Sequence, residues 1–179
     1  MHDDMIRRIE PLIPALRRYA RALCGDRAQA DDLVQDCLER AISRWHQRRD
    51  DGNTRTWMFT ILHNLAVNYW CQNRYRGPHI ALDDTVETAF AHDGTQENSL
   101  HYQDVMGAIA TLPDDQRSIL LLVSIEDLSY AETAKVLDIP LGTVMSRLSR
   151  GRERLRQILD GDRRNNGDRQ STPNLRRVK

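Results

Sequence analysis

The sequence predicts an all-α protein made of two small helical modules joined by a flexible acidic linker. Three observations carry that prediction. Apolar residues recur at three- and four-residue spacing from Met5 to Trp70 and again from about Leu100, and no stretch shows the alternation of a strand. Gly77-Pro78 opens a break, after which Ile80 to Ser99 carries acids, Thr and Gly with only weak periodicity. Near Ser129 a helix-start signal precedes two short apolar-periodic runs split by Ile139-Pro140-Leu141-Gly142. The spacing divides the chain into a first module over 5–76, a linker over 77–99, a second module over 100–160 and a disordered basic tail over 161–179.

In the first module, Ile6, Ile9, Leu12 or Ile13, Leu16, Tyr19, Ala20 and Leu23 recur at helical spacing. Pro11 and Pro14 should split this run into a short lead-in and a main helix beginning near Pro14, because proline removes an amide donor inside a helix. Gly25-Asp26 ends that helix and Asp26 or a neighbour starts the next. There Ala30, Leu33, Val34, Cys37, Leu38, Ala41, Ile42 and Trp45 keep the same periodicity. A polar loop, Gln47 to Thr54, leads to a third helix from about Thr54 to Arg74, with Met58, Ile61, Leu62, Leu65 and Tyr69 on one face. In the second module, Val105, Ile109 and Leu112 lead to Pro113, which opens the strongly apolar helix around Gln116 to Ile125.

Composition narrows the function. The chain has 26 basic and 26 acidic residues in 179, so no global field draws it to a polyanion. The distribution is uneven: Gly77 to Asp104 has no Lys or Arg, whereas basic residues outnumber acids from Arg147 to Lys179. A basic end behind an acidic middle suggests a polyanionic partner at one end. Cys24, Cys37 and Cys71 are far apart, without a CxxC, so neither a disulfide framework nor a structural metal site is expected. Cys24 and Cys37 read as small buried hydrophobes. No run has the length and apolarity of a membrane span and Met1 to Pro11 lacks a signal-peptide pattern, so a cytoplasmic protein without membrane insertion is expected. The six histidines are scattered, and no nucleophile–base arrangement or phosphate loop occurs; no enzyme, cofactor or small-molecule substrate is expected.

Ser129 is a good N-cap and Glu132 completes a capping box; Ala131, Ala134, Val136 and Leu137 supply a small apolar face. Asp138-Ile139-Pro140 stops this helix, and a second begins around Leu141 to Thr143. Helix, tight turn, helix is the layout that sends the second helix into a major groove. At about 100° per residue, Val144, Leu148, Gly151 and Leu155 form one inward stripe. Ser146, Ser149, Arg150 and Glu153 lie opposite, flanked by Thr143, Met145 and Arg147. Arginine bonds guanine bidentately, and small hydroxyl side chains permit close approach to DNA.

The stretch from Leu128 to Leu155, LSYAETAKVLDIPLGTVMSRLSRGRERL, resembles the fourth conserved region of extracytoplasmic-function sigma factors of the sigma-70 family. Asp32 to Trp45, DLVQDCLERAISRW, is similar to the core-polymerase-binding stretch of their second region, and Thr56 to Asn64, TWMFTILHN, to that module's third helix. The resemblance spans roughly Ile13 to Leu159, in two blocks in the family's order. It implies a factor that joins core RNA polymerase, through its clamp helices and flap, and directs it to promoter DNA, for a stress or envelope regulon under an anti-sigma factor.

Residue by residue, the resemblance implies polymerase contact through Asp32, Gln35, Asp36, Glu39 and Arg40, which the apolar periodicity leaves outward. For the minus-ten element it implies the loop Gln47 to Thr54, Asn64 and Asn68, whose amides can both donate to and accept from an unpaired base edge, and Arg74 and Arg76 on phosphate. Trp57 is expected in the core. For the minus-thirty-five element it implies Thr143, Ser146, Arg147, Ser149 and Arg150. Met145 and Ser149 depart from the basic or larger residues that relatives often carry there. The competing class is a stand-alone helix-turn-helix regulator, which would bind free promoter duplex by itself and would not require core polymerase.

Overall fold

The computed structural model describes residues 2–48, 53–76 and 104–169, with side chains followed to Tyr69 in one long helix and to Gly161 in another. The linker reading of 77–99 therefore lies outside the described residues. All regular structure among the described residues is helical.

Local chemistry sets the helix ends. Helix α1 (His2–Ile9) runs into a 3-10 turn at Glu10–Leu12 that carries Pro11, and α2 (Ile13–Cys24) follows with Pro14 in its first turn. Proline is tolerated there because first-turn amides have no intrahelical acceptor. Gly25, at φ +70°, caps α2 in the left-handed conformation, and its amide reaches Arg21 O. Asp26 then caps α3 (Arg27–Ser43), its carboxylate accepting from Gln29 N at 2.7 Å. After a 3-10 turn at Trp45–Gln47, α4 (Thr54–Arg76) begins where Asn53 Oδ1 accepts from Arg55 N at 2.9 Å.

In the second module, α5 (104–110) and α6 (Asp114–Leu120) flank Pro113, and α6 continues as a π-helical turn, Leu121–Ile125. The capping box forms as expected: Ser129 Oγ accepts from Glu132 N, and Glu132 accepts from Ser129 N at 2.9 Å, starting α7 (Tyr130–Leu137). Asp138, at φ +51°, ends α7 in the left-handed region, and α8 (Leu141–Arg169) follows Pro140. Helix α8 continues through 161–169, where the sequence reading began a disordered tail. No proline intervenes before Pro173, so nothing forces a stop at Gly161. On α7, Val136 is buried and Ala134 and Leu137 pack against the core as expected, whereas Ala131 is exposed and Thr133 is buried in its place.

Helices α1 to α4 bury Leu16, Tyr19, Leu23, Leu33, Val34, Cys37, Met58, Phe59 and Leu62 in common. Tyr19 meets Phe59 edge-on at 5.4 Å, and Trp57 meets Trp45 at 6.0 Å while packed against the core, as expected of Trp57. Burial pushes the thiols of Cys24 and Cys37 up to about 12, consistent with packing residues. Two residues counted on apolar faces, Ile6 and Ile42, are exposed. In the second module, Leu112, Ile119, Leu120, Val144 and Leu148 form a smaller core between α6 and α8.

A flexible linker leads one to expect two modules that move independently in the free protein. Here they share one apolar core: Met106, Ile109, Leu121, Leu122, Leu128 and Val136 of the second join the cluster of the first. Helix α7 packs on α4, and α6 with its π-helical turn packs on α2. Periodicity identifies the buried face of a helix but not the partner that buries it, so this contact has no local signature.

Candidate nucleic-acid interface

Helix α8 owes its position to Val144 and Leu148, both buried against α6. One turn further, Gly151 lets the two helices approach: a Cβ there would stand 3.1 Å from Leu120 Cδ1 and 3.4 Å from Gln116 Cβ. With this stripe inward, Ser146, Ser149 and Arg150 are exposed on the other side, as the helical-wheel argument requires. Thr143 and Arg147 are half-buried on the flank. Arg147 is engaged by Asp115 of α6 at 3.3 Å, and Ser146 Oγ donates to Thr143 O at 3.1 Å. A shallow groove beside this face is lined by Gln116, Ser149, Arg150, Glu153, Arg154 and Gln157. Glu153 accepts from Arg156 at 3.0 Å and Gln157 at 2.9 Å, which hold its carboxyl below its ordinary range. The acid within the basic face is thus tied to its own helix, leaving Arg150 directed at solvent.

In the first module, Asn64 and Asn68 are exposed one turn apart on α4, with exposed Val67 between them. Behind them His63 Nδ1 lies 3.1 Å from the hydroxyl of buried Tyr19. Burial lowers the His63 pKa to about 4, so the ring is neutral at pH 7 and adds no charge behind the two amides. Arg74 and Arg76 fall on the last turns of α4, where side chains are not described. Of the loop expected between Gln47 and Thr54, the two ends are described. Arg48 stacks over Trp45 at 4.6 Å and donates to Thr54 Oγ1 at 3.3 Å.

Asp32, Gln35, Asp36, Glu39 and Arg40 are all exposed on α3, away from α2 and α4. Gln35 donates to Glu39 at 3.0 Å within this face. The preceding acid, Asp31, instead faces Arg21 at 3.5 Å and Arg17 at 3.9 Å and ties α3 to α2. Ile42, 53% exposed, extends the acidic face by one apolar side chain. Sequence reasoning missed it because its spacing from Leu38 fits the buried stripe, which drifts off the core at the end of the helix.

The contacts between the modules were also unforeseen. Glu126 is fully buried, and its carboxylate accepts from Arg18 Nε and Nη2 at 2.8 and 2.7 Å. Arg55 lies 3.5 Å from the same carboxylate and also donates to Glu126 O. Glu132, besides capping α7, accepts from Asn53 at 2.6 Å and Thr56 at 3.3 Å; the two Ser129 bonds above all, and these two to a lesser degree, hold its carboxyl below the usual range. Arg117 donates to Leu23 O, a carbonyl at the end of α2, at 3.1 Å. Among the described residues no group of three His, Cys, Asp or Glu side chains could hold a metal ion, and no helix is long and apolar enough to cross a membrane.

Comparison with known proteins agrees with this architecture. Residues 9–63 match the family described as the Sigma2 domain of PhyR, and residues 102–155 match Sigma-70, region 4. The chain is 33% identical over 159 residues to the ECF RNA polymerase sigma factor EcfG of Rhodopseudomonas palustris, covering 89% of this chain and 84% of that protein. It is 30% identical over 132 residues to the ECF RNA polymerase sigma-E factor of Escherichia coli, covering 68% and 69%. Among solved structures, the sigma factor RpoE in complex with the anti-sigma factor NepR from Bartonella quintana is similar, with 34% identity and a TM-score of 0.70 over 88% of this chain and 97% of that one. Two helical modules in this order, the second a helix-turn-helix with a polar outer face, and relatives matched over most of their length lead to one conclusion: the chain belongs to the extracytoplasmic-function RNA polymerase sigma factors, which are initiation factors and not enzymes.

Proposed function

We propose a division of labour in which three surfaces of this sigma factor each serve one step of initiation. The outer face of α3, with Asp32, Gln35, Asp36, Glu39, Arg40 and the exposed Ile42, docks on core polymerase. The face of α4 with Asn64 and Asn68 accepts an unpaired base of the minus-ten element, and Arg74 and Arg76, later in the same helix, take its phosphates. The outer face of α8 reads the minus-thirty-five element through Ser146, Ser149 and Arg150, with Thr143 and Arg147 on its flank. In this scheme residues 5–76 act as region two, 77–99 as the connecting segment and 100–160 as region four.

The observation that carries the reading is the docking of Val144, Leu148 and Gly151 on α6, which leaves Ser146, Ser149 and Arg150 together in solvent. Arginine matches the paired acceptors of guanine in the major groove, and the serines allow the helix close to the duplex. The same logic separates the asparagines: an exposed amide suits a base already out of the stack. The protein works in the cytoplasm with its polymerase, and an anti-sigma factor holds it until a stress or envelope signal; the similar RpoE was solved with such a factor bound. Run-off transcription with core polymerase tests the scheme. Promoter-dependent transcripts should require the chain and weaken on Arg150→Ala. Unchanged transcription and promoter binding in that variant would remove α8 as the reading helix.

A further inference from the structure

Two side chains near the start of α8 have no part in the scheme above. Leu141 and Met145 are large and apolar, yet they are 44% and 48% exposed and belong to neither apolar core. They stand one turn apart, in a row that the exposed Ser149 continues. At about 100° per residue this row forms one flank of the outer face, and Thr143, Arg147 and Arg150 form the other. Ser146 adjoins Met145 across the face and Ser149 follows it along the row, so an apolar strip is set into a polar surface.

The position of the strip decides what covers it. In a helix-turn-helix the first residues of the second helix come closest to base edges, and Leu141 and Met145 lie in the first two turns of α8. Burying a thioether against a phosphate would strip the phosphate of water and return no hydrogen bond. Among the groups that base pairs present in the major groove, one is apolar: the C5-methyl of thymine. Methionine is unbranched and polarisable, so it can follow the contour of a methyl group without a fixed geometry. Arginine on the opposite flank suits the paired acceptors of guanine instead. The two flanks of α8 therefore favour different base pairs.

We infer that Met145 is a specificity-determining residue for the minus-thirty-five element, which packs on the methyl group of a thymine and selects an A·T pair at that position. Leu141 extends the apolar strip towards the helix start, and the Arg150 flank reads guanine in the same element. The inference deepens the role proposed above for α8 and rests on it.

The test uses holoenzyme assembled from the full chain and core polymerase, on a promoter that it transcribes, at a temperature too low for strand opening. Each thymine of the minus-thirty-five element, on either strand, is replaced singly by deoxyuridine, which pairs identically and lacks only the methyl group. Duplex binding by wild type should fall about fourfold at one thymine, the worth of one buried methyl group. Met145→Ala should lose at least as much on the unmodified promoter and should then respond no further to that deoxyuridine, because the two changes remove the same contact. Met145→Leu should keep the sensitivity. Wild type indifferent to every replacement, or an element with no thymine on either strand, would overturn the inference. A deoxyuridine effect of undiminished size in Met145→Ala would overturn it equally. Should Met145→Ala lose helicity by circular dichroism, Met145→Gln, which keeps the length of the side chain, takes its place under the same criterion. Arg150→Ala separates the two levels of the argument. If that variant binds weakly while wild type ignores deoxyuridine, the thymine contact falls and the reading role of α8 stands; if neither change matters, both fall.

Discussion

At the scale of residues, a few side chains carry separable roles. Arg150 projects from α8 with no acid among the described residues tying it down, so Arg150→Ala should weaken binding to closed promoter duplex by about 1–3 kcal/mol if the contact is bidentate to guanine. Asn64→Ala should leave duplex engagement near normal and reduce open complexes in permanganate footprints. Equal impairment of the same step by both would refute the division of labour. Gly151 matters for packing, because Gly151→Val would drive a branched side chain into Leu120 and should cost about 1–3 kcal/mol, read as a lower denaturant midpoint. A midpoint equal to wild type would mean that α6 and α8 part more readily than their contact implies. His63 supplies a pH dependence. Its folded pKa of about 4 lies below the ordinary 6.5, so between those values the unfolded chain binds a proton that the folded chain refuses. Stability is then complete above about pH 6.5 and falls with acidification, by about 2 kcal/mol between pH 6.5 and 5 from this group. Urea titrations across that range should show the fall in wild type and a smaller one in His63→Gln; identical slopes would exclude His63 as the cause.

At the scale of elements, caps and faces were legible because their signals are local. Gly25, Asp26 and the Ser129–Glu132 capping box stand where the sequence puts them, since a cap involves residues within one turn. Ser129→Ala should therefore cost about 1 kcal/mol in a reversible denaturation measurement, and no loss would show that α7 is held by its tertiary contacts alone. The inward stripe of α8 and the outward acids of α3 followed from a 3.6-residue period. Ile42 escaped because it satisfies that period at the end of α3, where the core no longer lies alongside, and Ile6 because the buried stripe of α1 runs through Met5 and Ile9 instead. Asp36 tests the α3 face: Asp36→Arg reverses an exposed charge without touching the core, so it should weaken core polymerase binding while leaving circular dichroism unchanged. Unchanged affinity in competition would move the docking surface elsewhere.

At the scale of the whole molecule, the contact between modules is the part the sequence hid. Glu126 reads as the polar end of an apolar run, and Arg18 and Arg55 as ordinary basic residues on two distant helices. Only the fold brings them together, because ion pairing across a long sequence separation leaves no periodic trace. The same fold gives the chain two demands in tension: one shared core favours a closed molecule, and two promoter elements require an open one. The most direct test of the account as a whole is run-off transcription from genomic promoters by purified core polymerase, with and without the chain. Wild type should direct specific transcripts, bind core polymerase, and bind free promoter duplex poorly. A chain that ignores core polymerase and binds promoter duplex tightly by itself would be acting as a stand-alone regulator, and would contradict the account.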